Sequence, residues 1–112
     1  MSAVTTHVLD ASLGRPGAHI PVRLELLPDD EAPTLIAVGE TDDDGRITQL
    51  GPDQLPAGTY RLVFDTAQYF EATRTPAFYP RVEITFRTGG TAEHYHVPVL
   101  LSPFAYSTYR GS

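Results

Sequence analysis

The stretch HYHVPVLLSPFAYSTYR, residues 94–110, is the one on which the fold turns. Side chains alternate between the faces of a strand, so Tyr95, Val97, Val99 and Leu101 share an apolar face, and His94, His96, Pro98 and Leu100 share the other. Ser102-Pro103-Phe104-Ala105 then supplies a turn, and 106–110 returns as a second strand. The spacing therefore predicts a hairpin with its first strand over 93–101. A four-residue turn sets Leu100 opposite Ser107 and Pro98 opposite Tyr109, which leaves His96 diagonal to Tyr109.

The same period recurs upstream. Strands are predicted over 3–9, around Ile20, Val22, Leu24 and Leu26, over 35–41, over 46–50 and over 59–65, with a further one on which Val82, Ile84 and Phe86 face inward and Arg81, Glu83 and Arg87 outward. Gly14-Arg15-Pro16-Gly17 reads as a loop and Asp42-Asp43-Asp44-Gly45 as a tight turn. Only 66–73 breaks the alternation. It is the single helix candidate, with Thr66 as its N-cap and Tyr69, Phe70, Phe78 and Tyr79 expected to pack it onto the strands. About eight strands with one short helix make an all-β sandwich in two sheets.

Composition narrows the function. A chain of 112 residues, 41% hydrophobic and 20% charged, supports one core, so residues 1–112 are expected to form a single domain. A net charge of −6, from 8 basic and 14 acidic residues, offers no footprint for a phosphate backbone, and nucleic acid is not an expected partner. No run approaches the roughly 18 apolar residues that cross a bilayer, and no leader pattern opens the chain, so the expectation is a cytoplasmic protein with no membrane partner. Cysteine is absent, which removes thiolate nucleophiles and cysteine-based zinc sites.

The outer face of the last hairpin is where chemistry concentrates. It is too apolar to be comfortably wet and too rich in His and Tyr to be plain core, which points to a second subunit across a cavity. His7 and Leu9 share a face of the first strand, and Arg46, just past the acidic turn, is the cation available to join His7, His96 and Tyr109. The pair His94-x-His96 also has metal-ligand spacing, since period two aims both rings the same way. The expectation is nonetheless no metal and no cofactor. Asp42 to Gly45 lacks the spacing and distal Glu of a calcium loop. His19 is expected to be structural.

HVLDASLGRPG at 7–17, FYPRVEITF at 78–86 and HYHVPVLLSPFAYSTYRGS at 94–112 resemble the signatures of the transthyretin-like family, and the terminal YRGS resembles its 5-hydroxyisourate hydrolase branch. That resemblance implies a transthyretin-like β-sandwich assembled as a homotetramer, a dimer of dimers. It implies an active site of His7, Arg46, His96 and the terminal Tyr109 to Ser112 segment, with Tyr109 catalytic and Ser112 on the substrate, in a channel between the dimers. The reaction implied is hydrolysis of a cyclic amide, opening 5-hydroxyisourate to 2-oxo-4-hydroxy-4-carboxy-5-ureidoimidazoline during urate degradation.

These residue types suit that chemistry. A neutral imidazole accepts a proton from water and returns it to the leaving nitrogen, which makes His7 and His96 the acid and base candidates. Arg46 presents a permanent planar cation to a flat, oxygen-rich substrate and to charge developing on the attacked carbonyl. Tyr109 and the Ser112 carboxylate are candidates for holding substrate or water. The alternative is a transthyretin-type carrier of small aromatic ligands, whose channel would favour aliphatic residues and a lysine at its mouth.

Overall fold

Period-two alternation produces nine strands and one helix among the described residues of the computed structural model, which are 1–90 and 93–112. The first sheet holds β1 (Val4–Asp10), β2 (Arg15–Pro16), β5 (Arg46–Ile47), β8 (Tyr95–Ser102) and β9 (Ala105–Thr108), with β2-β1-β8-β9 in order and β5 also on β1. The second runs β4-β3-β6-β7, built from β3 (Pro21–Leu26), β4 (Thr34–Glu40), β6 (Gly58–Phe64) and β7 (Val82–Thr88). Val4, Val8, Tyr95, Val97, Val99 and Leu101 from one sheet share a core with Leu24, Leu62, Phe64 and Val82 from the other. Both inner faces are the apolar halves of alternating strands, as a sandwich requires.

Leu100 does face Ser107. The turn tightens to Pro103-Phe104 without altering that register, and the pairing extends along the chain to a bridge between His96 and Gly111. The expected strand over 46–50 stops at Ile47 because the next backbone groups bond to the chain start instead. Ser2 N–H donates to the Thr48 carbonyl at 3.1 Å, and Leu50 N–H donates to Ser2 Oγ at 2.8 Å. Residues 15 and 16, expected in a loop, pair with Leu9 and Asp10 as the ninth strand.

The helix α1 is Thr66–Ala72, one residue shorter than expected and capped by Asp65, not Thr66. Asp65 Oδ1 accepts from Gln68 N–H at 3.4 Å, while Thr66 has turned inward with its hydroxyl buried and unpartnered. Tyr69 and Phe70 carry the helix onto the core as expected. Phe78 and Tyr79 do not: both are exposed, and Tyr79 packs edge-on against Phe78 and against Tyr106 instead of entering the core. Below the helix, buried Asp10 accepts from Tyr69 Oη at 2.6 Å and from Ser12 and Leu13, sealing the end of β1.

Candidate active site

Three segments remote in sequence meet on the outer face of the first sheet. β5 runs antiparallel to β1 with His7 beside Arg46, and β8 runs parallel to β1 with Thr5 beside His96. Paired residues share a face, so both imidazoles and the guanidinium stand on one surface. Thr5, Arg46, His94, His96 and Ser112 line a depression of about 200 Å³ there.

The acidic turn orients the cation. Gly45 takes φ +77°, and a side chain there would run into the Val8 carbonyl oxygen, so only glycine lets the turn lie against β1. Asp42 Oδ1 accepts from the N–H groups of Asp44 and Arg46, each at 2.9 Å, which ties the turn to the first residue of β5. The Arg46 guanidinium takes part in none of the ion pairs among the described residues. An exposed arginine without a carboxylate partner is free to receive an anionic or carbonyl oxygen.

Each histidine is held by one nitrogen. His7 Nε2 lies 3.1 Å from the Asp44 carbonyl oxygen, an acceptor only, so Nε2 donates that bond and the uncharged ring holds its lone pair on Nδ1. His96 Nδ1 lies 2.8 Å from Thr5 Oγ1, and the same hydroxyl lies 3.1 Å from His94 Nε2. His96 Nε2 has no protein hydrogen-bond partner among the described residues. Burial pushes the His96 pKa below its ordinary value, with Arg46, His7 and His94 lowering it further and a hydrogen bond to the Thr5 backbone opposing. Both burial and the neighbouring cation favour the uncharged ring.

The chain terminus closes over this ring. Gly111 N–H donates to the His96 carbonyl at 2.8 Å, and a Cβ at Gly111 would lie 2.6 Å from His96 Cδ2, so the tail crosses flat against the imidazole. Arg110 anchors the crossing, its guanidinium 4.8 Å from the centre of the Tyr95 ring.

Of the expected site residues, Arg46, His96 and Ser112 border one depression, with His7 paired beside Arg46. Tyr109 is on the same outer face by register but is 59% exposed and borders a different depression of about 240 Å³, with Phe86, Tyr95 and Arg110. Among the described residues no three His, Asp or Glu side chains converge to hold a metal ion. His19 bonds to the exposed carboxylates of Glu40 and Asp43 at 3.4 and 3.0 Å. Sequence reasoning missed Thr5, and it included Gly111 only as part of the terminal 109–112 segment. Thr5 was within reach, since it lies two residues before His7 and hence on its face, whereas nothing in the sequence shows a glycine against a particular ring.

Residues 4–111 match the model of the HIUase/Transthyretin family. The 5-hydroxyisourate hydrolase of Salmonella dublin is 44% identical over 110 residues, covering 97% of this chain and 80% of the relative. The solved 5-hydroxyisourate hydrolase of Klebsiella pneumoniae superposes with a TM-score of 0.86 at 34% identity, covering 97% of this chain and 98% of that one. Sea bream transthyretin in complex with thyroxine superposes with a TM-score of 0.91 at 33% identity, covering 97% and 94%. Backbone similarity alone thus embraces a hydrolase and a thyroxine-bound transthyretin, and the side chains of the depression must separate them.

Proposed function

The chain belongs to the HIUase/Transthyretin family, and from that premise we propose that it hydrolyses 5-hydroxyisourate to 2-oxo-4-hydroxy-4-carboxy-5-ureidoimidazoline. The observation that carries this reading is the union, on one face, of His96 held through Nδ1, His7 held through Nε2 and the unpaired Arg46. A carrier of aromatic ligands has no use for such a set.

In this mechanism Arg46 holds the flat substrate and receives the charge that develops on the attacked carbonyl oxygen. His96 Nε2 takes a proton from water as the water oxygen bonds to the carbonyl carbon, a contribution of about 10² to 10⁴ in rate. The same proton then passes to the ring nitrogen as the C–N bond breaks. His7, held through Nε2, offers its Nδ1 lone pair to a substrate N–H. Tyr109 and Ser112 complete the substrate contacts from the terminal segment, Tyr109 reaching the site once another subunit covers the outer face.

The working assembly in this proposal is a homotetramer of one transthyretin-like domain spanning 1–112, in the cytoplasm. Leu100 and Tyr109 are exposed on the outer face of the isolated chain, which supports burial of this surface by partner copies. Among the described residues no helix is long and apolar enough to cross a membrane. Sedimentation should give four times the chain mass of 12.2 kDa.

The deciding experiment follows the ultraviolet decay of freshly generated 5-hydroxyisourate with wild type, His96→Ala and Arg46→Ala, each verified as folded. Acceleration by wild type and its loss in both variants is the expected result. Decay unaffected by wild type, together with tight thyroxine binding, would establish the carrier instead.

A further inference from the structure

Hydrolysis of an amide leaves a proton over. Water supplies two: one ends on the leaving nitrogen, and the other is freed when the new carboxylic acid ionises at neutral pH. That second proton must leave a site whose base is partly buried and sits beside a permanent cation. Thr5, His94 and His96 form a connected chain of the right chemistry. Thr5 Oγ1 is within hydrogen-bond distance of His96 Nδ1 at 2.8 Å and of His94 Nε2 at 3.1 Å, and these are nitrogens of two different rings. Thr5 is 3% exposed, whereas His94 stands in solvent.

A hydroxyl carries one proton, so it donates to one ring and accepts from the other. When His96 Nδ1–H donates to Thr5 and Thr5 donates to His94 Nε2, His96 Nε2 is left as a lone pair, the form a base requires. We propose that Thr5 and His94 relay this proton from His96 to solvent. The inference rests on the hydrolase reading. While product still covers Nε2, His96 takes the proton of the ionising acid there. Its Nδ1 proton passes to Thr5 Oγ1, the Thr5 hydroxyl proton passes to His94 Nε2, and His94 Nδ1 releases one proton to water. No group changes oxidation state, and the rings regain their starting tautomers through solvent after product leaves. Arg46 shares the depression with His96 and repels its cationic form, which drives the transfer outward; Glu93 and Arg110 flank the His94 end.

The relay residues act through His96, so their signature is in kcat. Thr5→Val, which keeps the shape and removes the hydroxyl, should lower kcat about tenfold with KM unchanged, a modest part of what acid–base catalysis supplies. Thr5→Ser should restore it. His94→Gln should lower kcat similarly and be rescued by concentrated imidazole buffer, which replaces the outer end only, while Thr5→Val should not be rescued. Wild-type kcat in Thr5→Val, or Thr5→Ser no better than Thr5→Val, would overturn the relay.

Nitrogen-15 shifts of the two rings give a test that needs no turnover. In wild type one of the two nitrogens facing Thr5 should be protonated at neutral pH and the other bare, an arrangement kept in Thr5→Ser and lost in Thr5→Val. Both protonated, or both bare, overturns the relay whatever the activity. Complementary tautomers in a protein that leaves 5-hydroxyisourate untouched would sink the hydrolase reading and leave the hydroxyl bridge standing.

Discussion

Replacing Gly111 by alanine should cost about a hundredfold in kcat. The added Cβ would lie 2.6 Å from His96 Cδ2, with His96 Cγ and Pro98 Cγ each at 3.3 Å. Carbon atoms rest at about 3.5 to 4.0 Å, so either the imidazole or the tail must move by roughly 1 Å. Pro98 blocks one direction of escape. The Gly111 N–H bond to the His96 carbonyl, 2.8 Å long, resists movement of the tail, so the ring yields. A misplacement of about 1 Å near reacting atoms costs about 10² in rate, or roughly 2.7 kcal/mol of barrier. Because Gly111 does not need a left-handed backbone, the substitution tests this contact and not backbone strain. Arg46 is untouched, so KM should change little. The assay is the steady-state decay of 5-hydroxyisourate together with the ring proton shifts of His96. A Gly111→Ala protein with kcat within about threefold of wild type and unshifted His96 resonances would refute the argument.

Three further outcomes are expected. Because His96 is held below the ordinary histidine value of 6.5 by burial first and by Arg46 second, the acid limb of kcat/KM should fall below that pH; Arg46→Gln should move the limb upward, and a limb above 6.5 in wild type would contradict the assignment. Tyr69→Phe removes a 2.6 Å hydrogen bond to the buried Asp10 carboxylate and should destabilise by about 1.5 to 3 kcal/mol in urea titrations at pH 7. Burial opposes the Asp10 charge, but hydrogen bonds from Ser12, Tyr69 and Leu13 hold its pKa below 3.8; the stability this confers is complete above that value and lost as pH falls through the lower folded pKa, so the Tyr69→Phe deficit should shrink in acid and a constant deficit would exclude the linkage. Thr66→Val removes a buried hydroxyl with no partner and should stabilise by about 1 kcal/mol, raising Tm by about 4 °C with activity unchanged, whereas a lower Tm would mean that the hydroxyl is satisfied after all.

Local pattern determined much of this protein. Alternation at 94–110 was enough for the hairpin, its inner face and the Leu100–Ser107 register, because side-chain direction on a strand depends only on position along it. The helix was legible where alternation failed, but its cap was not: Asp65 and Thr66 are both capping types, and only the buried position of Thr66 gives the role to Asp65. The family signatures also lie in the sequence, as residues 4–111 bear out.

What local pattern did not contain was adjacency. Nothing in residues 3–9 says that this strand lies parallel to 95–102, and nothing in 46–47 says that this short strand chooses β1 over the neighbouring β4. Those pairings bring His7, Arg46 and His96 onto one face and set Thr5 between two imidazoles. They arise from the packing of two whole sheets around a shared core, a non-local sum in which each strand's partner depends on every other strand. The sequence alone determined which residues could do the chemistry, and the tertiary structure decided which of them meet, because side-chain period is a property of one strand and neighbourhood a property of the closed sandwich.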